Sequence, residues 1–167
     1  GVALTILFAY HAYASGSLLY PALAPQLEAG LAGNATLLPK LFPHILRLNE
    51  LVDAGRRVLM VGDARRFYLH RGVDYCVVFN RNPFAEAAAA RAPGELTAWL
   101  REQGYDYVYV DWIEMHRLRS SRYGFWASID AELFRRLSTV GLRPVEYFAF
   151  VEGGAPYGTL YEVPPRG

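Results

Sequence analysis

Residues 111–124, DWIEMHRLRSSRYG, gather the side chains of this chain that are best suited to binding or chemistry. They include two carboxylates, three arginines and a histidine, and they directly follow the apolar run YDYVYV. An apolar strand that ends in polar residues is typical of the ligand-binding edge of an open α/β sheet, because the carboxyl ends of parallel strands open onto a crevice. The segment is therefore the first candidate for a functional site.

Arginines from two predicted loops could converge on one crevice, because both loops are expected at the carboxyl ends of adjacent strands. Planar guanidinium groups bind phosphate or carboxylate through paired hydrogen bonds, which would make the cluster an anion site. The alternative is a solvated basic loop whose arginines pair with nearby carboxylates, since Glu114 and Arg117 are three residues apart. The candidate ligand-binding residues are Asp63, Arg65, Arg66, Asp111, Glu114, Arg117, Arg119 and Arg122.

The run VLMVGDARR, which contains the first of these loops, lacks the common cofactor and nucleophile motifs. Gly62 stands alone, whereas a dinucleotide site needs G-x-G-x-x-G and a methyltransferase-like loop needs a second glycine nearby. Ala64 stands where a G-D-S hydrolase has its nucleophilic serine. Asp63 is then expected to cap a helix N-terminus, and the pattern predicts no catalytic residue and no cofactor.

Metal, acid–base and nucleic-acid functions are disfavoured by the residue pattern. The four histidines lack metal-ligand spacing, and the single cysteine, Cys76, lies in the apolar run YCVVF and is expected to be a buried thiol. Asp111 and Glu114 are poor candidates for an acid–base pair, because neighbouring arginines would hold both carboxylates ionised. With 17 basic and 16 acidic residues, and aromatic side chains expected to pack in the sheet, no nucleic-acid partner is expected.

Hydrophobic periodicity places these loops in one α/β domain, residues 34–167. Helices are predicted over 34–53, 63–72 (a turn and a short helix), 83–104 in two pieces with a break at 92–94, and 126–140, and strands over 56–62, 73–79 and 105–112. RPVEYFAFV and YGTLYEVP flank a glycine-containing turn and predict a hairpin. This order predicts a three-layer, Rossmann-like, mostly parallel sheet with a C-terminal antiparallel hairpin.

The N-terminal residues 1–27 contain no Asp, Glu, Lys or Arg, and their apolar run approaches the length and composition of a membrane span. His11, Gly16, Pro21 and Pro25 interrupt the run, and the basic region of a secretory signal is missing. Two interpretations remain open. The segment is either a buried or interfacial apolar helix that precedes the domain, or the end of the last transmembrane helix of a longer polypeptide.

Three stretches carry a resemblance to a known family: LNELVDAGRRVLMVGDARRFYL (48–69), LREQGYDYVYVDWIEMHRLRSSRYGF (100–125) and LFRRLSTVGLRPV (133–145). Taken in order, they resemble the C-terminal extramembrane domain of bacterial multi-spanning glycosyltransferase-like membrane proteins. These are relatives of the dolichyl-phosphate-mannose protein mannosyltransferases, which use a lipid-phosphate-linked sugar. In such proteins catalysis belongs to acidic residues near the membrane-embedded half, so the resemblance assigns no catalytic residue to this sequence.

The resemblance implies a soluble, extracytoplasmic domain of the bacterial cell envelope with a non-catalytic binding or structural role. Its partners would be the membrane-embedded part of the same polypeptide and a lipid-phosphate or sugar-phosphate headgroup. The alternative, which rests on the arginine clustering, is a stand-alone Rossmann-like enzyme. Such an enzyme would bind a nucleotide or phosphorylated metabolite at the 63–66 and 111–122 loops.

Overall fold

The computed structural model describes residues 43–53, 55–64, 72–76 and 81–165. The apolar segment 1–27, the first part of the helix predicted from residue 34, and most of the short helix predicted over 63–72 lie outside these residues. The chain divides into two compact units, residues 1–47 and 48–167, and the second unit contains the sheet. Among the described helices, none combines the length and the hydropathy needed to cross a bilayer.

The described residues form five helices and five strands. The helices are α1 (Pro43–Leu51), α2 (Pro83–Ala90), α3 (Pro93–Glu102), α4 (Trp112–Ser120) and α5 (Ala131–Thr139). The strands are β1 (Arg57–Val61), β2 (Gly72–Tyr75), β3 (Tyr107–Asp111), β4 (Arg143–Phe148) and β5 (Gly158–Glu162). β1 and β3 are shorter than their apolar runs in the sequence, because the flanking residues enter turns or, after β3, a helix. Residues 77–79 of the second predicted strand lie outside the described residues.

The strands form one sheet in the order β2-β1-β3-β5-β4. β1 pairs in parallel with β2 and β3, and β5 pairs antiparallel with β3 and β4. This confirms the α/β class, the mostly parallel sheet and the C-terminal hairpin. Because Asp111 lies opposite Gly158, the carboxyl ends of β1 and β3 and the β4–β5 turn share one edge of the sheet, here named the carboxyl edge. The opposite edge, where β1 and β3 begin, is named the amino edge.

One face of the sheet carries the main hydrophobic core. Alternate residues of β1 and β3, Leu59 and Val61 with Val108 and Val110, join apolar side chains of α2, α3 and α5 in a single buried cluster. Phe134 of α5 joins the helices to the sheet because its ring stacks on Tyr161 of β5, with centroids 5.2 Å apart. This continuous cluster positions the strand ends that carry the candidate site residues.

The helical region 83–102 is broken between α2 and α3, as predicted, and each of the two helices has its own hydrogen bond at its N-terminus. Asn82 caps α2 by accepting a hydrogen bond from the Ala85 amide at 3.1 Å, and Pro83 occupies the first helical position. α3 begins at Pro93, and the Glu95 carboxylate accepts from the Ala92 amide at 3.0 Å. Proline is well tolerated at this position because the first amide of a helix has no intrahelical partner. The two helical pieces are confirmed.

Two predicted boundaries in the C-terminal half are wrong. The segment after β3 is not a polar loop but the helix α4, because Asp111 caps its first turn and basic side chains in its last turn favour the helix dipole. α5 begins at Ala131 and not at residue 126, because the Asp130 side chain accepts from the Leu133 amide at 2.7 Å and sets the first turn there. Residues 126–129 form a turn whose Ile129 is nevertheless fully buried.

Candidate functional site

The carboxyl edge is held together by a close contact between Gly62, just after β1, and the start of α4. Gly62 has a positive φ of 87°, a conformation that side-chain-bearing residues rarely adopt. A Cβ at this position would lie 2.9 Å from the Asp111 carbonyl oxygen and 2.9 Å from Met115 Cγ. The glycine therefore makes room for the chain's own helix. A nucleotide-binding glycine would instead leave room for a pyrophosphate.

Two carboxylates, Asp63 and Asp111, are buried at this edge, with only 2% and 4% of their surfaces exposed. Asp111 is the last residue of β3 and the N-cap of α4, where its side chain accepts from the Glu114 amide at 2.8 Å. Asp63 follows Gly62, and the residues after Ala64 lie outside the described ranges. Capping of α4 by Asp111 explains why a carboxylate can be buried at this edge, since backbone amides replace its lost hydration.

The Glu114–Arg117 pair predicted from its spacing forms on α4. Arg117 donates from Nε to one carboxylate oxygen of Glu114 at 2.7 Å and from a terminal nitrogen to the other at 2.5 Å. The hydrogen bonds to Glu114 raise the pKa of Arg117 above its ordinary value. Arg117 is thus engaged within its own helix, as the solvated-loop alternative predicted, although the pair lies on a helix and not on a loop.

The other two arginines of the segment contact the residues that follow α4. Arg119 donates a hydrogen bond to the Ile129 carbonyl and lies 5.7 Å from the centre of the Phe125 ring. Arg122 donates to the Tyr123 hydroxyl at 3.1 Å and lies over the same ring at 5.1 Å. A surface hollow of about 250 Å³ lies beside these contacts and is lined by Tyr123, Gly124, Phe125 and Trp126. The aromatic residues of this segment therefore pack against guanidinium groups as well as against one another.

The structure brings only part of the predicted cluster together. Gly62 and Asp111 are in contact, and α4 connects Asp111 to Glu114 and Arg117. Arg119 instead contacts Ile129, and Arg122 contacts Tyr123, so neither side chain takes part in the contacts around Asp111. Arg65 and Arg66, the other half of the predicted anion site, lie outside the described residues, so the convergence of all five arginines stays a prediction.

Within the described ranges, no group of three or more His, Cys, Asp or Glu side chains is arranged to hold a metal ion. Cys76 is partly buried, and desolvation raises the pKa of its thiol, with a smaller contribution from Asp74. A raised pKa keeps the thiol protonated and therefore weakly nucleophilic at neutral pH.

The amino edge carries a charged network that the sequence analysis missed. Asp106 accepts from Arg56 at 2.7 Å and from the Arg57 backbone amide at 2.8 Å. The Arg57 guanidinium pairs with Asp74 of β2 and donates to the Gln103 carbonyl at 2.5 Å. The paired residues are up to 50 positions apart in the chain, so their contact could not be predicted from spacing. The sequence signal was limited to charged residues at or just before the starts of β1 and β3, namely Arg56, Arg57 and Asp106.

A cavity of about 400 Å³ lies at the same edge and extends to the end of β5. Its lining includes Arg56, Tyr105, Asp106 and Glu162. Desolvation, followed by the charge of Asp74, raises the pKa of Tyr105 to about 12. The cavity combines charges of both signs, and Arg56 pairs with Asp106 while Glu162 pairs with Arg143, so it offers no single-sign site for an anion or a cation.

Comparison with known proteins returned no matching family model, no similar curated protein and no similar solved structure. The functional interpretation therefore rests on the resemblance carried by residues 48–69, 100–125 and 133–145 and on the geometry of this chain.

Proposed function

We propose that this chain is the extracytoplasmic C-terminal domain of a bacterial membrane glycosyltransferase-like protein that uses a lipid-phosphate-linked sugar. In this proposal the domain has a non-catalytic, binding or structural role. In this proposal residues 1–27 are the end of the last transmembrane helix, and helices on both faces of the sheet complete a Rossmann-like, three-layer arrangement. The domain lies at the outer face of the membrane, against the membrane-embedded part of the same polypeptide.

The observation that carries the non-catalytic role is the use of the candidate side chains as structural contacts. Asp111 caps α4, Glu114 holds Arg117, and Arg119 donates to a backbone carbonyl. A catalytic acid or base needs a side chain that can reach a substrate, whereas these groups satisfy the chain's own hydrogen bonds. The absence of charge in residues 1–27 supports the membrane attachment.

A headgroup phosphate would be bound at the carboxyl edge by arginines that remain able to turn toward a ligand. Arg117 is an exposed side chain on α4, and Arg65 follows β1 in the sequence. Two guanidinium forks on one phosphate would each form charge-assisted hydrogen bonds worth roughly 1.5–3 kcal/mol. A lysine cannot reproduce the paired contacts, so Arg→Lys replacement separates this geometry from a general positive charge.

The first experiment concerns attachment. The reading frame upstream of residue 1 is determined in the source genome, and the full-length product is expressed and fractionated. We expect upstream hydrophobic spans and a domain that external protease reaches in spheroplasts but not in inverted vesicles. A frame that starts within a few residues of Gly1, without upstream spans, would remove the proposal.

The second experiment concerns the anion site. Arg65→Lys, Arg117→Lys and Arg119→Lys are introduced in the full-length protein, and activity is measured at two salt concentrations. Weakened activity that is more sensitive to salt supports headgroup binding at the carboxyl edge. Unchanged activity and thermal stability in all three variants would leave a purely structural role for the domain. Arg143→Lys at the amino edge is the matched control, because Arg143 pairs with Glu162 away from the predicted site.

A further inference from the structure

The turn between β4 and β5 presents apolar side chains to solvent at the end of a hairpin. Phe150 is 77% exposed and Val151 is 67% exposed. They belong to the run FAFVEGGAPY, residues 148–157, in which Glu152 is the only charged residue. Contiguous patches of exposed apolar side chains are typical of contact surfaces.

The hairpin turn, residues 149–156, holds these side chains outward in an ordered conformation. The Gly154 amide donates to the Val151 carbonyl at 3.0 Å, and Gly153 has a positive φ of 71°, as the third position of a type II turn requires. The Phe150 ring stacks on Tyr157, with centroids 4.5 Å apart. Because the turn is already ordered, a binding partner would pay little conformational entropy to engage it.

The hairpin turn lies at the carboxyl edge, beside the candidate site. Gly158 pairs with Asp111, and the Trp112 amide donates to the Tyr157 carbonyl at 2.8 Å. Ile113, at the start of α4, is a further exposed apolar residue at this edge. The carboxyl edge therefore presents both apolar side chains and the charged residues of α4.

We infer that the hairpin turn inserts Phe150 and Val151 into the interfacial region of a lipid bilayer. The inference rests on the proposed function, in which the domain is attached to a membrane. A protruding apolar turn suits lipid, because a fluid interface needs no shaped pocket to receive it, and aromatic rings are favoured at that depth. In the proposed function the uncharged residues 1–27 would tether the domain to a bilayer, so a bilayer would be the apolar surface available to the turn. Insertion would hold the carboxyl edge, and with it the predicted anion site, at the level of the lipid headgroups.

The test places a fluorescent probe at the turn of the full chain. Cys76→Ser removes the native thiol, and Val151→Cys carries an environment-sensitive fluorophore. The matched control is Val140→Cys, because Val140 is also exposed, at 42%, but follows α5 near the start of β4. β4 separates the two positions by roughly 20 Å, more than the 5–10 Å to which an interfacial segment penetrates.

The labelled chains are mixed with phosphatidylcholine vesicles that contain a nitroxide at a shallow acyl position, and binding is checked by flotation. We expect a blue shift and about two-fold or greater quenching at 151, with little change at 140, because only the turn would reach the nitroxide depth. Since the turn carries no basic residue, anionic lipid should not be needed.

The outcomes separate this inference from the proposed function. A chain that floats with the vesicles while the probe at 151 stays unquenched would overturn insertion of the turn, leave membrane attachment intact and assign the turn to a protein partner. Equal quenching at 151 and 140 would show nonspecific adsorption and also overturn the inference. A chain that does not float would also overturn insertion of the turn, whereas the proposed function is decided by the upstream spans of the full-length protein. Thermal melts of the two labelled variants should agree with the parent, since both replaced side chains are exposed.

Discussion

The two edges of the sheet use charged residues in different ways. At the carboxyl edge the contacts are local: Asp111 accepts from the amide three residues ahead, and Glu114 pairs with Arg117. At the amino edge they are long-range: Asp106 joins Arg56 and Arg57 across about 50 residues of chain. The local contacts stabilise one helix, whereas the long-range contacts connect two strands.

This difference explains why the carboxyl edge, and not the amino edge, is recognisable in the sequence as a candidate site. Charged residues at helical spacing are visible in one short segment, and they suggest a site whether or not they bind anything. The charges of the amino edge are dispersed, and they become a network only when parallel strands bring their first residues together. Density of charge along a sequence is therefore a weak indicator of where charges meet in space.

The largest effect is expected from the glycine that joins β1 to α4. Gly62→Ala should destabilise the fold by about 3 kcal/mol, because it combines an unfavourable positive φ with overpacking against Asp111 and Met115. Gly55→Ala, near the amino edge, has nearly the same φ but no atom within 4 Å of the new Cβ, and should cost about 1 kcal/mol. Urea unfolding of both variants measures the difference, and equal losses would contradict the close contact at the carboxyl edge.

A smaller effect is expected from the two aspartate caps. Asp111→Ala should cost about 1–2 kcal/mol and Asp130→Ala about 1 kcal/mol, because each removes the acceptor for an amide in the first turn of its helix. Asparagine keeps an acceptor oxygen, so Asp111→Asn should recover most of the stability. If Asp111→Asn is stable but inactive in the full-length protein, the Asp111 charge has a role beyond capping. Chemical denaturation and an activity assay together decide between these results.

At the amino edge, alkaline pH should weaken the fold through Tyr105. Its phenol has a pKa of about 12 in the fold and about 10 when unfolded, so the neutral form stabilises the folded state below pH 10. That stability should be lost as pH rises from about 10 to about 12, by roughly 1 kcal/mol, because the half-exposed ring is partly screened. Tyr105→Phe should flatten this part of the stability profile. An unchanged profile would show that Tyr161, whose pKa burial also raises to about 12, accounts for the alkaline loss.

The smallest effect is expected from the exposed pair on α4. Arg117→Ala and Glu114→Gln should each change stability by less than about 1 kcal/mol, and a double-mutant cycle should give a coupling of a few tenths. The coupling should decrease in high salt. A coupling well above 1 kcal/mol would contradict the description of this pair as an exposed contact on the helix surface.

Much of the fold could be predicted from the sequence, because hydrophobic periodicity reports which face of each element is buried. The three parallel strands, the two pieces α2 and α3 and the terminal hairpin are all confirmed. Capping residues set the boundaries that the prediction missed, since Asp111 and Asp130 begin helices where apolar spacing alone suggested a loop or an earlier start. The convergence of Arg65 and Arg66 with α4 stays a prediction.

The sequence by itself determined the α/β class, the order of the strands along the chain and the three-residue spacing that lets Glu114 pair with Arg117, since all of these depend on residues close together along the chain. Only the tertiary structure decided that Gly62 contacts the start of α4, that Asp106 joins two strands, and that Phe150 and Val151 lie beside the carboxyl edge. These contacts join residues far apart in the sequence. They arise when strands pair in register and the core closes, and no local spacing encodes the distance between such residues.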